Sequence, residues 1–282
     1  MGAGRLYSRP MKPEITMVAQ TSAGALIREW RQRRRMSQLH LALEAGISQR
    51  HLSFLESGRS NPSRDMVLLL SESLSIPLRQ RNRILIASGF APGFSERDLH
   101  DPELKPAMDA VQIVLDGHAP NPAIAIDRHW TMVAANQAIA PLLEGVSNKD
   151  LLKPPVNVLR LSLHPEGLAP KIVNLSGWRA HVLERLRLLI DQSADPQLTA
   201  LEKELAAYPV RKTGPDPKPG AADMIAVSLR LRLGGAELSF ITTTTVFGTP
   251  LDVTLSELAI ESFFPADAAT AAFLRQLQSR GS

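Results

Sequence analysis

Residues 37–57 hold the pattern that most constrains how this chain folds. Ser37 and Ser48 each precede a segment whose apolar residues recur at helical spacing. A serine hydroxyl at such a position can accept a hydrogen bond from a free backbone N–H. Gly46 lies between the two segments, where the chain needs a left-handed backbone conformation. The pattern predicts two helices joined by a tight turn, a helix-turn-helix.

The second of these helices begins with polar residues, Gln49, Arg50 and His51. Such a helix suits the major groove of DNA, where Arg reads guanine and Gln reads adenine. The alternative is plain helix packing, which a helix pair with a glycine turn would favour by itself. The small Ala42, the two serine caps and the trailing Glu56–Arg59 segment together favour DNA binding.

The distribution of charge points the same way. Residues 24–91 contain 11 Arg, no Lys and five Asp or Glu, whereas residues 92–282 contain 18 basic and 22 acidic residues. The arginines flank the helix pair: Arg31, Arg33, Arg34 and Arg35 precede it, and Arg59 and Arg64 follow it. A solvated charged face would not explain that placement. We therefore expect a basic nucleic-acid-binding domain joined to an acidic domain.

Composition excludes several other classes of protein. The 282 residues include no cysteine, which excludes disulfides and thiolate metal sites. The seven histidines form no metal-ligating pattern, and no motif of a hydrolase or nucleotide-binding enzyme occurs. We therefore assign no catalytic residue, no metal and no cofactor. No signal peptide or apolar run of membrane-spanning length is present, so we expect a cytoplasmic protein without a membrane partner.

Turn-forming residues divide the chain into three parts. Residues 1–22 lack periodicity and are predicted to be a mobile arm. Residues 23–94 are predicted to form an all-α domain of five helices, in which Ser63 and Pro77 begin the two helices after the helix-turn-helix. Residues 95–282 form the second domain, with the boundary near residue 95.

The second domain is predicted to be α+β with an antiparallel sheet. Trp130 is expected in a strand, and Asn136 is expected to cap the helix after it. Gly234 and Gly235 are expected to join two strands as a hairpin. The predicted strands are 123–126, 129–135, 225–233, 237–245 and 251–260; the predicted helices are 108–115, 136–144, 150–163, 175–191, 196–207 and 266–278; residues 208–220 are a predicted loop.

Both domains resemble known families. Residues 26–92, above all Ser48–Ser60, resemble the XRE (lambda-repressor-like) helix-turn-helix regulators. The second domain resembles the MmyB-like regulator ligand-binding domain, which has a PAS-like fold. The motifs that carry this second resemblance are Asp127–Trp130, Ala134–Asn136, His164–Leu168, Phe247–Thr254 and Phe263–Asp267.

The first resemblance implies a set of DNA-contacting residues. These are Gln38 toward a phosphate, Gln49, Arg50 and Phe54 toward bases, Arg59 and Asn61 toward the backbone, and Ser48 and His51 at the start of the recognition helix. The ring of Phe54 is expected either to meet a thymine methyl group or to belong to the core. The implied partner is a double-stranded DNA operator. Because one helix-turn-helix reads only a few base pairs, we expect a homodimer, and we expect it to associate through the acidic domain, which DNA would repel.

The second resemblance implies a fatty-acid-like or other small apolar ligand. We expect its cavity between a sheet and a helix. The sheet is the one that carries Leu229, Leu231 and Phe240, and the helix is the one that carries Trp178 and Val182. The candidate ligand-binding residues are Asn157, His164, Trp178, Arg179, His181 and Phe240. Structural roles stay open for several of them, because His164 can begin a turn and Trp178 and His181 can belong to the core. The alternative function for this domain is ligand-independent dimerisation or protein interaction.

Overall fold

The computed structural model of the protein describes residues 21–209, 227–247 and 252–281. Most of the predicted N-terminal arm, and the predicted loop beyond residue 209, lie outside these ranges. The chain divides into two compact units between Gly93 and Phe94. The boundary expected near residue 95 lies beside this division.

Unit 1 is helical, as the sequence predicts. Its described helices are α1 (Ala23–Arg33), α2 (Gln38–Glu44), α3 (Gln49–Glu56), α4 (Arg64–Ser73) and α5 (Leu78–Ala87). The first four begin after a serine whose hydroxyl accepts a hydrogen bond from the backbone N–H three residues later; these serines are Ser22, Ser37, Ser48 and Ser63. Helix α5 follows Pro77 without a side-chain cap.

Three small residues allow the helices of unit 1 to pack closely. Gly46 has φ +65°, which glycine adopts without steric cost, and it ends α2 as predicted. A Cβ at Gly24 would lie 2.0 Å from the carbonyl oxygen of Leu55, so α1 can approach α3 only with glycine at that position. Ala42 is buried in the same core.

Unit 2 is α+β, which confirms the predicted fold class. Its described helices are α6 (Lys105–Asp116), α7 (Ala140–Leu143), α8 (Val158–Leu163), α9 (Leu175–Ser193), α10 (Pro196–Ala207), α11 (Val253–Ser256) and α12 (Ala268–Gly281), with 3-10 turns at Pro102–Leu104, Gln137–Ile139, Lys149–Leu152 and Ala169–Lys171. The strands are β1 (Ala123–Ile126), β2 (Met132–Ala135), β3 (Leu229–Leu233), β4 (Ala236–Val246) and β5 (Ala259–Pro265). They form one antiparallel sheet in the order β2-β1-β5-β4-β3.

Helices pack against both faces of the sheet of unit 2. On one face, Trp178 and Val182 of α9 belong to the same apolar cluster as Leu231 and the fully buried Phe240. On the other face, the apolar side of α6 packs against β1 and Ile260 of β5. The hairpin of β3 and β4 turns at Gly234 and Gly235, as predicted, and both have positive φ. No helix among the described residues is long and apolar enough to cross a membrane.

The strand predicted at residues 251–260 is wrong for residues 252–258 and overlaps β5 only at Ala259 and Ile260. The Asp252 carboxylate accepts a hydrogen bond from the Thr254 backbone N–H at 2.8 Å and caps α11, and β5 begins only at Ala259. A short apolar run does not by itself distinguish a strand from a helical turn, and here the acidic cap decides. The error moves the whole fifth strand toward the C-terminus.

Three further positions differ from the prediction. Strand β3 begins at Leu229, so the described residue Val227 lies before the strand and not in it; Ile225 lies outside the described residues. Trp130 lies in the turn before β2 with φ +65°. Asn136 does not cap a helix, because its amide donates to the carbonyl oxygens of Leu115 and Asn121 and its oxygen accepts from Ala123 N–H. These long-range partners are invisible in the local pattern.

Candidate DNA-binding surface and ligand cavity

Helix α3 presents its first residues to solvent. Gln49, Arg50 and His51 are all exposed. The hydroxyl of Ser48 accepts the His51 backbone N–H at 3.1 Å, so this serine shapes the start of the helix. The exposed end therefore carries one amide, one guanidinium and one imidazole on a fixed helical frame, and Gln and Arg are side chains that can read base edges in a major groove.

Phe54 gathers two arginines on the same surface. The guanidinium carbon of Arg50 lies 5.3 Å from the centre of the half-buried ring, and that of Arg59 lies 5.7 Å from it. The Arg59 backbone N–H also bonds the Phe54 carbonyl at 2.9 Å, which folds the following loop back against α3. Asn61 is exposed in that loop. Phe54 thus supports the two cations rather than filling the core of unit 1.

A buried ion pair ties α3 to the rest of unit 1. Arg31 donates to the two carboxylate oxygens of Glu56 at 2.6 and 2.8 Å, and to the carbonyl of Met36 at 2.8 Å. The side chains of Arg31 and Glu56 are 10% and 2% exposed. Hydrogen bonds to Glu56 raise the pKa of Arg31, although burial acts against this. Among the arginines that flank the helix pair, Arg31 therefore stabilises the fold of unit 1.

Gln38 belongs to the same network. Its side-chain amide donates to Glu56 at 2.9 Å, which places Gln38 beside the C-terminal end of α3. The resemblance implied a phosphate contact for this residue. The structure shows in addition that its NH₂ group is bonded to a carboxylate that also holds Arg31.

Unit 2 contains an apolar cavity of about 90 Å³ between the sheet and helices α8 and α9. Most of its wall is aliphatic or aromatic, and includes Ile124, Met132, Leu161, Val182, Leu229 and Phe263. It lies where the sequence analysis expected a cavity, against Leu229, Leu231 and Trp178. The wall also contains two charged side chains, Arg185 and Glu261.

Arg185 and Glu261 bond each other at the cavity wall. The Arg185 guanidinium donates to the Glu261 carboxylate at 2.8 and 3.4 Å, and to the Thr244 hydroxyl at 2.7 Å. That hydroxyl donates in turn to Glu261 at 2.6 Å. The Glu261 side chain is 5% exposed and that of Arg185 is 27% exposed. The wall therefore carries a closed polar triangle with no net charge.

Trp130 covers the guanidinium of this pair. The guanidinium carbon of Arg185 lies 4.9 Å from the centre of the Trp130 ring. The Asp127 carboxylate accepts the backbone N–H groups of His129 and Thr131, each at 2.8 Å, and so holds the turn in which Trp130 has φ +65°. Such a conformation is strained for a bulky residue and persists only where its surroundings impose it.

Comparison with known families identifies both units. The MmyB-like transcription regulator ligand binding domain matches residues 107–277, and the Helix-turn-helix family matches residues 27–80. The chain belongs to the MmyB-like transcription regulators. It is a DNA-binding regulator with a ligand-binding domain, and both families are regulatory rather than enzymatic. No protein with curated annotation matches the chain.

In this MmyB-like regulator, only one of the six predicted ligand-binding residues lines the cavity. Trp178 does so, and its indole N–H donates to the Ser162 hydroxyl at 2.9 Å. Phe240 is fully buried in the neighbouring core but is not part of the wall. Phe240 therefore supports the core next to the cavity and does not face the cavity itself.

The four polar candidates have protein partners elsewhere. Asn157 caps α8 through Arg160 N–H and donates to the His129 carbonyl. Arg179 donates to the Ala206 carbonyl at 2.6 Å. The remaining two lie outside the wall as well: His164 accepts the Glu166 N–H with its ring nitrogen, and the His181 ring is centred 5.6 Å from that of Trp178. Burial, followed by the nearby Arg185 cation, lowers the pKa of His181.

Sequence reasoning missed the charged pair of the cavity. Arg185 follows Trp178 and Val182 by seven and three residues, which places all three on one helix face. That spacing was a usable signal. Glu261 had no comparable signal, because the fifth strand was predicted in the wrong place. Among the described residues, no three His, Asp or Glu side chains are grouped so as to hold a metal ion.

Proposed function

We propose that this MmyB-like regulator binds a double-stranded DNA operator as a homodimer and senses a small, apolar, fatty-acid-like ligand in the cavity of unit 2. The observation that carries the ligand proposal is the apolar cavity with a single charged pair in its wall. In this proposal the ligand changes DNA affinity only by the difference in its affinity for two arrangements of the dimer.

The exposed end of α3 supports the proposed DNA contacts. Arg50 has its guanidinium on the recognition helix itself, whereas Arg59 follows the helix in the loop that returns to Phe54. We expect Arg50→Ala to cost about 1–3 kcal/mol of binding and to relax the preference at one base position. Arg59→Ala should weaken all duplexes alike, because a phosphate contact carries no sequence information.

A duplex selected from a random library by the wild-type chain provides the probe for this test. Titrations on that duplex and on single-base variants separate the two arginines, with Arg187→Ala in unit 2 as the charge-matched control. Arg187 lies on α9 and bonds Glu202. An equal loss of discrimination in Arg50→Ala and Arg59→Ala would contradict the assignment.

The proposed homodimer follows from the small size of one reading surface. A single recognition helix contacts only a few base pairs, so we expect two half-sites about one helical turn apart. Light scattering of the full chain at micromolar concentration measures its mass directly. A monomer both free and on the selected duplex would contradict the dimer.

The small volume of the cavity limits the proposed ligand to a short chain. Each CH₂ group that leaves water contributes roughly 0.8 kcal/mol, so affinity should rise along a homologous series. The volume of about 90 Å³ lies below the roughly 300–1,000 Å³ of pockets for drug-sized ligands. We therefore expect the rise in affinity to stop early in the series, before the long acyl chains.

Trp178 reports on this cavity directly. We propose to titrate its fluorescence with fatty acids of increasing length, in a chain in which Trp30 and Trp130 are replaced by Phe. Val182→Phe adds bulk to the wall and should abolish the response, whereas Leu188→Phe on the same helix, at a residue that is 56% exposed, should not. No response in the parent chain to fatty acids or to their amides, together with no bound small molecule in native mass spectrometry, would favour ligand-independent dimerisation.

A further inference from the structure

The charged pair in the cavity wall constrains the head group of the ligand. Arg185 and Glu261 are the two charged side chains of the wall, and they carry opposite charges. Each is already bonded to the other and to Thr244. The wall therefore offers polarity without net charge.

A carboxylate ligand would meet a cost in this setting. It would bring a second negative charge beside the Glu261 carboxylate, whose side chain is only 5% exposed. Two carboxylates that share one cation in a poorly solvated site disfavour ionisation of one of them. His181, on the same helix, supplies no compensating charge at neutral pH, because burial and Arg185 lower its pKa.

An uncharged oxygen meets no such cost. A guanidinium has five N–H donors, and the Nε–H of Arg185 has no hydrogen-bond partner among the described residues. An alcohol, amide or ester oxygen can accept such a donor while its alkyl chain lies against the apolar wall. The Trp130 ring on the guanidinium restricts where that oxygen can lie.

We propose that the ligand of this cavity is an uncharged short-chain amphiphile, an alcohol, amide or ester, rather than the anion of a fatty acid. The inference rests on the proposed use of the cavity as a ligand site. It assigns Glu261 as the residue that selects against anions by neutralising Arg185.

The test compares two probes of equal chain length on the full-length protein. Hexanamide and hexanoate are titrated at pH 8 by calorimetry, and we expect hexanamide to bind at least about tenfold tighter. Glu261→Gln keeps the shape of the side chain but removes its charge. It should strengthen hexanoate binding at least about tenfold and leave hexanamide nearly unchanged. Glu237→Gln, in the partly exposed Glu237–Arg230 pair on the hairpin, is the matched control.

A second measurement does not depend on the variant. If the site accepts hexanoate only as the neutral acid, binding must take up one proton, which calorimetry in buffers of different ionisation enthalpy counts. Tighter binding of hexanoate than of hexanamide, without proton uptake, would overturn the inference and leave the proposed ligand site standing. Failure of both probes to bind would instead contradict the proposed function itself.

Discussion

Removal of the Glu56 carboxylate should cost unit 1 a large part of its stability. Glu56→Ala leaves the guanidinium of Arg31, which is 10% exposed, with only the Met36 carbonyl as partner. It also removes the acceptor of the Gln38 amide. Breaking a buried ion pair from one side costs about 3–5 kcal/mol, because the remaining charge is neither solvated nor paired. That is a large share of the roughly 5–15 kcal/mol by which domains are stable.

The same unit contains a matched control. Arg33 and Glu29 form an ion pair on the surface of α1, with side chains 34% and 50% exposed. Water solvates both partners after either is removed, so Glu29→Ala should cost about 0.5 kcal/mol or less. The two variants each delete one carboxylate that bonds an arginine of α1, and they differ in burial.

A double replacement separates the charge from the contact. In Arg31→Met with Glu56→Leu, no unpaired charge remains in the core, so most of the loss in Glu56→Ala should be recovered. Hydrogen exchange of the amides of α1 and α3 in the full chain measures the opening free energy of unit 1 without interference from unit 2. Equal opening free energies for Glu56→Ala and Glu29→Ala would refute the reasoning.

Three more predictions concern single residues. Phe54→Leu should weaken binding to any duplex by about 0.5–1 kcal/mol for each guanidinium that loses the ring, and Phe54→Tyr should not, as duplex titrations will show. Gly24→Ala should lower the opening free energy of α1 and α3 by about 1–3 kcal/mol, because the new Cβ meets the Leu55 carbonyl, and their amides should therefore exchange faster. Unchanged protection would contradict the close approach. The pKa of His181 is lowered in the folded state from 6.5, so the stability of unit 2 should decline as pH falls below 6.5, and His181→Gln should remove that component from the pH dependence of unfolding.

The helix-turn-helix was predictable because its signals are local. Serine caps act on N–H groups three residues away, and the turn at Gly46 depends on that residue's own φ. The Arg31–Glu56 pair joins residues 25 positions apart, and nothing in the spacing of either one shows that they meet. The arginines that flank the helix pair predict a basic DNA-binding surface, but one of them, Arg31, is structural.

The apolar residues of the cavity wall could be predicted from the sequence, but the Arg185–Glu261 pair could not. Trp178, Val182 and the strand residues Leu229 and Leu231 follow apolar periodicities that any packed domain shows. The polar candidates Arg179 and His181 lie on the same helix as Trp178, but nearness in sequence does not place two helical residues on one face. A residue one position away, such as Arg179, is turned by about 100° from Trp178, whereas Arg185 returns to the same face.

Two ion pairs among the described residues, Arg31–Glu56 and Arg185–Glu261, differ in what surrounds them, and that difference separates a structural role from a binding role. Arg31 has a carboxylate and a carbonyl around it within a closed core, so its contacts stabilise one arrangement of α1 and α3. Arg185 instead lines the apolar cavity and lies under Trp130, which the Asp127 turn holds at positive φ. A strained residue over a neutral pair beside an apolar void is costly to maintain for packing alone. We infer that the arrangement serves recognition of a polar atom on an otherwise apolar ligand.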